Sequence, residues 1–304
     1  MAVSLVACAA PAGEAEDVSA SEDELRTTYG DLFETLADAD LDRWVDVRAK
    51  LAAGFDRICG DTICSGDYSN LTTARLRCSS THATKKLREC AWILGGSIEY
   101  VDGRTGKITT DARAFTCKIP VGGTAKAMLD TLSASRDPLM TPLPATGTSF
   151  YDGLVACFSG VMGGPPPASE ATFYAELDEW LWETDGDAAM SWSGTKRALV
   201  KGFHDVCGDT FCEGEYSDVE GLRFVCSVNR NSKRVARCSW SFVMADTSVD
   251  SRGRITTRAK TKTCNVEVGA QASALTAALK VDDPLHAKLP GRQTSIYDAL
   301  VRCL

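Results

Sequence analysis

The sequence predicts an α+β protein built as two tandem homologous domains. Each is expected to hold helices plus a three-stranded antiparallel meander, with three disulfides per domain. Three observations carry this expectation. First, the string Cys59-Gly60-Asp61-Thr62-Ile63-Cys64-Ser65-Gly66-Asp67-Tyr68-Ser69 returns as Cys207-Gly208-Asp209-Thr210-Phe211-Cys212-Glu213-Gly214-Glu215-Tyr216-Ser217. Second, six cysteines in each copy keep nearly the same spacing. Third, hydrophobic periodicity switches within each copy from helical to alternating. The chain has 304 residues, room for two domains of ordinary size.

The cysteines define the compartment. Cys59, Cys64, Cys78, Cys90, Cys117 and Cys157 match Cys207, Cys212, Cys226, Cys238, Cys264 and Cys303, with gaps of 5, 14, 12, 27 and 40 against 5, 14, 12, 26 and 39. Matched sets of six read as disulfides formed in an oxidising compartment. Six cysteines allow fifteen pairings. The expected row of three across the sheet, facing the last helix, favours Cys59–Cys64, Cys78–Cys90 and Cys117–Cys157. Zinc would call for CxxC pairs with histidine, and the chain has no CxxC and only 3 His. No metal or other cofactor is expected.

In chain order, Ser21-x-x-Glu24 has the form of a capping box, followed by Leu25, Tyr29, Leu32 and Leu36 at helical spacing. Phe173, Leu177, Trp180 and Leu181 match them in the second copy. A second helix carries Trp44, Val47, Leu51, Phe55 and Ile58, matched by Trp192, Leu199, Phe203 and Val206. Gly60 and Gly208 stand where it must end, which makes the repeated string a helix exit. Strands are predicted over 72–79, 87–101 and 107–119, with turns at Thr81–Lys85 and Asp102–Gly106, and at Val228–Lys233 and Asp250–Gly253 in the second copy. These turns set Cys78 opposite Cys90 and Cys90 opposite Cys117, on a core face with Leu76, Trp92, Leu94 and Phe115. Lys260 and Lys262 share the parity of Cys264, so that face is not covered along its whole length. Helices over Thr124–Ala134 and Ser149–Phe158, and Gln271–Leu279 and Ser295–Leu304, close the copies. The resulting division is 1–20 a lipobox remnant and flexible tether, 21–158 the first repeat, 159–168 a Gly/Pro linker and 169–304 the second repeat.

Charge is segregated. Residues 21–67 carry net −7 and 71–118 net +5; residues 169–218 carry −9 and 221–264 carry +8. The whole chain is at −8, which argues against a nucleic-acid partner. Either the basic sheet is a solvated surface with local pairs, or positions such as Arg75, Arg77, Arg223 and Arg237 meet something acidic. That partner is the acidic helix of the neighbouring domain, an anionic envelope polymer or a protein.

The remaining polar motifs are sparse. The acids Asp61, Asp67, Asp209 and Glu215 supply oxygen ligands of the calcium kind. The string resembles the CGDGxC openings of short calcium- or disulfide-rich repeats in exported bacterial proteins, yet a disulfide-pinned cap accounts for the same residues. His82, His204 and His286 do not recur between the copies, and no nucleophile-elbow string accompanies His204-Asp205. No catalytic residue is assigned.

Cys8, the one cysteine without a counterpart, follows Leu5-Val6-Ala7 in a pattern that resembles a bacterial lipobox, and the Ala, Gly, Glu, Asp and Ser run behind it reads as a tether. From Ser21 onward the CGDTxC…YS loop, the Cys-x-Trp strands at Cys90/Trp92 and Cys238/Trp240, and the Tyr-Asp-x-Leu-Val-x-Cys ends resemble tandem cysteine-rich lipoproteins of predatory, myxobacterial-type soil bacteria. The resemblance implies an exported protein held by a lipid at the outer membrane or cell surface, and nothing catalytic. The function expected is a non-enzymatic cell-envelope lipoprotein that binds or scaffolds. The alternative is a secreted hydrolase or hydrolase inhibitor. A deep pocket with matched acids in both copies would mark an enzyme, and a shallow basic face a binder.

Overall fold

Asp31 decides where the first helix begins. Its carboxylate accepts the Phe33 N–H at 2.8 Å, and Glu34 Oε2 accepts the Asp31 N–H at 3.2 Å, a reciprocal capping box. The computed structural model describes residues 28–58, 68, 70–159, 173–207 and 216–304. In it α1 (Leu32–Thr35) is a single turn, and Tyr29–Asp31 in front of it is a strand, β1. This corrects the helix expected through Leu25, Tyr29, Leu32 and Leu36. The pairs Tyr29↔Thr81, Gly30↔Ser80 and Asp31↔Ser79 outweigh a periodicity carried by so few residues.

The long helix α2 (Asp38–Ile58) buries Trp44, Val47, Leu51 and Phe55 on one face. Then come β2 (Thr72–Thr81), β3 (Leu87–Val101), β4 (Ile108–Pro120), α3 (Ala125–Ala134) and α4 (Phe150–Phe158). The second copy runs β5 (Tyr174–Glu176), α5 (Leu177–Thr184), α6 (Gly186–Val206), β6 (Asp218–Asn229), β7 (Arg234–Val249), β8 (Ile255–Gln271), α7 (Ala272–Leu279) and α8 (Ile296–Cys303). Each copy is thus a four-stranded antiparallel sheet, ordered β1-β2-β3-β4 and β5-β6-β7-β8, and not the three-stranded meander expected.

The disulfide count is also corrected. Four bonds lie wholly among the described residues, two per copy: Cys78–Cys90, Cys117–Cys157, Cys226–Cys238 and Cys264–Cys303. Cys207 is disulfide-bonded as well. Cys59, Cys64 and Cys212 lie outside the described residues. Cys78 does face Cys90, but Cys117 stands opposite Trp92, two places from the expected register. The error came from the β3–β4 turn, which lies further along the chain than a symmetric hairpin centred on the two cysteines would need.

The helices cover one face of each sheet and the two sheets cover each other. The order of layers is helices, sheet, sheet, helices. Two separate apolar cores follow, one around Trp92, Phe55 and Phe150 and the other around Trp240, Phe203 and Ile296. Between them lies a third buried layer of smaller and more polar residues: Ala91, Ile93, Ser97 and Glu99 from β3, and Ser239, Ser241, Val243, Ala245 and Thr247 from β7. Gly95 and Val243 occupy matched places in the two copies and meet at this layer. A Cβ on Gly95 would collide with the Val243 side chain and come within 2.9 Å of Leu222 Cδ2.

Matched contacts lock the layer at its ends. The Tyr29 N–H donates to Ser251 O at 3.1 Å, and the Tyr29 ring lies against Gly253 in the β7–β8 turn. The Tyr174 N–H donates to Gly103 O at 3.0 Å, and its ring lies against Gly106 in the β3–β4 turn. Both glycines have positive φ, 78° and 70°, so neither position accepts a side chain easily.

Candidate functional site

Two matched grooves run between the long helix of each copy and its neighbouring strand. The first, of about 330 Å³, is lined by Val45, Arg48, Ala49, Ala52, Ala74 and Leu76, and Glu220 of the second repeat closes one end. The second, of about 460 Å³, is lined by Ser193, Lys196, Arg197, Val200, Leu222 and Phe224. The strands that form the walls break register at the same place, between Thr73 and Arg75 and between Gly221 and Phe224. Such bulges re-aim side chains beside a site.

Each groove has a cation on the same helical position, Arg48 or Lys196. Lys196 is paired with Asp178, and Arg197 beside it is exposed. Arg48 lies over the Phe33 ring, 4.9 Å from its centroid. Burial, and behind it the charge of Arg75, lowers the Arg48 pKa from the ordinary arginine value. At the closed end of the first groove, Glu220 Oε2 is 2.7 Å from His204 Nε2. That hydrogen bond, the largest effect, raises the His204 pKa.

The arginines singled out from the charge pattern lie close by, and three of the four are engaged within the chain. Arg75 pairs with Asp218 of the other repeat at 2.5 Å. Arg77 pairs with Asp31 at 2.6 Å and donates to Thr247 O across the interface at 2.8 Å. Arg223 holds both oxygens of Glu176, at 2.9 and 2.8 Å, and its Nε is 3.8 Å from Glu99. Glu99 is almost fully buried; burial pushes its carboxyl up, while hydrogen bonds from Ser241 and Ser97 and the Arg223 charge act against that shift. Arg237 is exposed and stands opposite Glu267. The acidic partners of Arg75 and Arg223 are strand-end residues and not the neighbouring helix: Asp218 meets Arg75 across the stacked sheets, while Glu176 belongs to the same sheet as Arg223.

Arg48, Lys196 and Glu220 were not singled out from the sequence. The available signal was the matched helix position of Arg48 and Lys196, which a helical wheel shows beside the core stripe. Cys8, Asp61, Asp67 and Asp209 lie outside the described residues, as does Glu215. No group of three or more His, Cys, Asp or Glu side chains among the described residues has the form of a metal site, and no described helix is long and apolar enough to cross a membrane. Lys260 and Lys262 are exposed, as their parity with Cys264 implied, and Lys260 lies over the Tyr216 ring at 4.2 Å. No family model, curated protein or solved structure matches this chain.

Proposed function

We propose that this protein is a non-enzymatic binding or scaffolding lipoprotein of the cell envelope, anchored through Cys8 and recognising anionic partners. The observation that carries the reading is the recurrence of one open groove in both repeats with a cation in its wall, Arg48 in the first and, beside the Asp178-paired Lys196, the exposed Arg197 in the second. A catalytic pair would call for matched acids there, and Glu220, the only acid among the described residues that line the first groove, has Thr72 at the corresponding place of the other copy. Disulfides in both cores fit an oxidising, extracytoplasmic setting. A duplicated, cation-walled surface on a rigid stapled frame suits repeated engagement of an anionic polymer.

The test is titration of the purified protein with an acidic envelope polysaccharide at rising salt. Binding that weakens with salt and weakens again in Arg197→Glu supports the reading. Turnover of an ester, peptide or glycoside substrate that survives extensive purification overturns it. The anchor is tested separately by Cys8→Ser expressed in the native host: release from the membrane fraction is expected, and retention removes Cys8 as the anchor.

A further inference from the structure

The two repeats differ at one place beside their grooves, and the difference points to a ligand. On α6, Trp192 and Lys196 stand one turn apart. Asp178 of α5 accepts a hydrogen bond from Trp192 Nε1 at 3.1 Å on one oxygen and pairs with Lys196 on the other. One carboxylate therefore satisfies both donors. On α2 the matched pair is Trp44 and Arg48, again one turn apart. The residue matched to Asp178 is Phe33, as Tyr29-Gly30-Asp31-Leu32-Phe33-Glu34 aligns with Tyr174-Ala175-Glu176-Leu177-Asp178-Glu179. The first repeat has both donors and lacks the acceptor.

The consequence is visible at both atoms. Trp44 is fully buried and its Nε1 has no hydrogen-bond partner, and neither has the buried Nε of Arg48. The Phe33 ring offers the guanidinium a cation–π contact, but it accepts nothing from the indole N–H. The nearby carboxylates are committed elsewhere: Asp31 to Arg77, Asp218 to Arg75 and Glu220 to His204. Of the two donors Arg48 lines the open groove, and a cation without an acceptor beside an apolar wall is the complement of an amphipathic carboxylate.

We propose that the groove of the first repeat binds a small carboxylate with an apolar body. The carboxylate seats on Arg48 from the groove side, opposite the Phe33 ring, and the body lies along Val45, Ala49, Ala52 and Leu76. Arg48 selects the charge, and the groove of about 330 Å³ limits the size. In the second repeat Asp178 already pairs with Lys196, so the matched cation is not free for such a ligand. The inference rests on reading the grooves as binding sites. A protein that binds the polysaccharide through the second groove but ignores carboxylates would fail here without failing there.

The test uses the full chain and two probes, hexanoate for a fatty acid and N-acetyl-leucine for a peptide C-terminus, each against its neutral amide. Titrations follow tryptophan fluorescence and the thermal transition. At least one carboxylate is expected to raise Tm where its amide does not, and which one responds identifies the source. Arg48→Met is expected to weaken binding by about tenfold to hundredfold, the range for a lost hydrogen bond to a charged group. Phe33→Asp supplies the missing acceptor within the chain. It should raise Tm without ligand and abolish the response to both probes. Equal response to carboxylate and amide, no response to either probe, or a folded Phe33→Asp protein that binds as the parent does would each overturn the proposal.

Discussion

Gly95 and Val243 provide the sharpest test of how the two sheets meet. They are the same position in the two copies, and they touch each other, so the layer closes only when one is small and the other large. Gly95→Val places a second isopropyl group into space already held by Val243 and Leu222 Cδ2. Overpacking of this kind costs about 1–3 kcal/mol. Val243 is fully buried, so Val243→Gly forfeits about 1.5–3 kcal/mol of side-chain burial and about 0.5–1 kcal/mol more for glycine within a strand. The swapped protein, Gly95→Val with Val243→Gly, restores one large and one small residue and should recover about 1–3 kcal/mol of the summed loss. Urea unfolding of the oxidised proteins, followed by tryptophan fluorescence, measures all four corners of the cycle, with a constant m-value required for comparison. Additivity within about 0.5 kcal/mol would mean that the side chains do not meet, and the face-to-face stacking of the sheets would be wrong.

Other outcomes follow from the same structure. Removing Cys117–Cys157, which closes a separation of 40 residues, should cost about 4 kcal/mol, and removing Cys78–Cys90, with a separation of 12, about 3 kcal/mol; unfolding of the paired Ser variants checks the order. His204 has its pKa raised above 6.5 by Glu220, so its contribution is complete below 6.5 and is lost as pH rises through the raised value. Because the imidazole is half exposed, the loss should be small and salt-sensitive, and His204→Gln should flatten the stability profile above pH 6.5; an unchanged slope refutes the pair. Residues 169–304 are expected to fold alone, since their core is complete. They should also associate with residues 21–158 on mixing, because the faces of β3 and β7 seek each other. Size-exclusion chromatography reads this, and two folded fragments that elute separately at micromolar concentration refute it.

Much of the chain's organisation was legible in order. The duplicated string and matched cysteines pointed to two halves of like plan, and the structure has two four-stranded sheets of the same strand order. The long helices, the three long strands of each copy and the closing helices followed from local rules of periodicity and capping. Even the uncovered end of the sheet was foreshadowed by Lys260 and Lys262, because lysine side chains are not buried without partners.

What the tertiary structure alone decided is what the second face of each sheet meets. Ala91, Ile93, Gly95, Ser97 and Glu99 alternate with core residues on β3, and they are buried against the other repeat. Alternation reports which residues share a face and not what covers it. Three residues at Tyr29–Asp31 carry too little local signal to be called a strand, and they become one only because β2 offers a free edge. The candidate site has the same origin. Arg48 and Trp44 look like ordinary helix residues until Trp192, Lys196 and Asp178 show, in the other copy, the carboxylate that those donors lack. Local chemistry wrote the elements of this protein; the meaning of its unpaired donors depends on long-range contacts that no window of sequence contains.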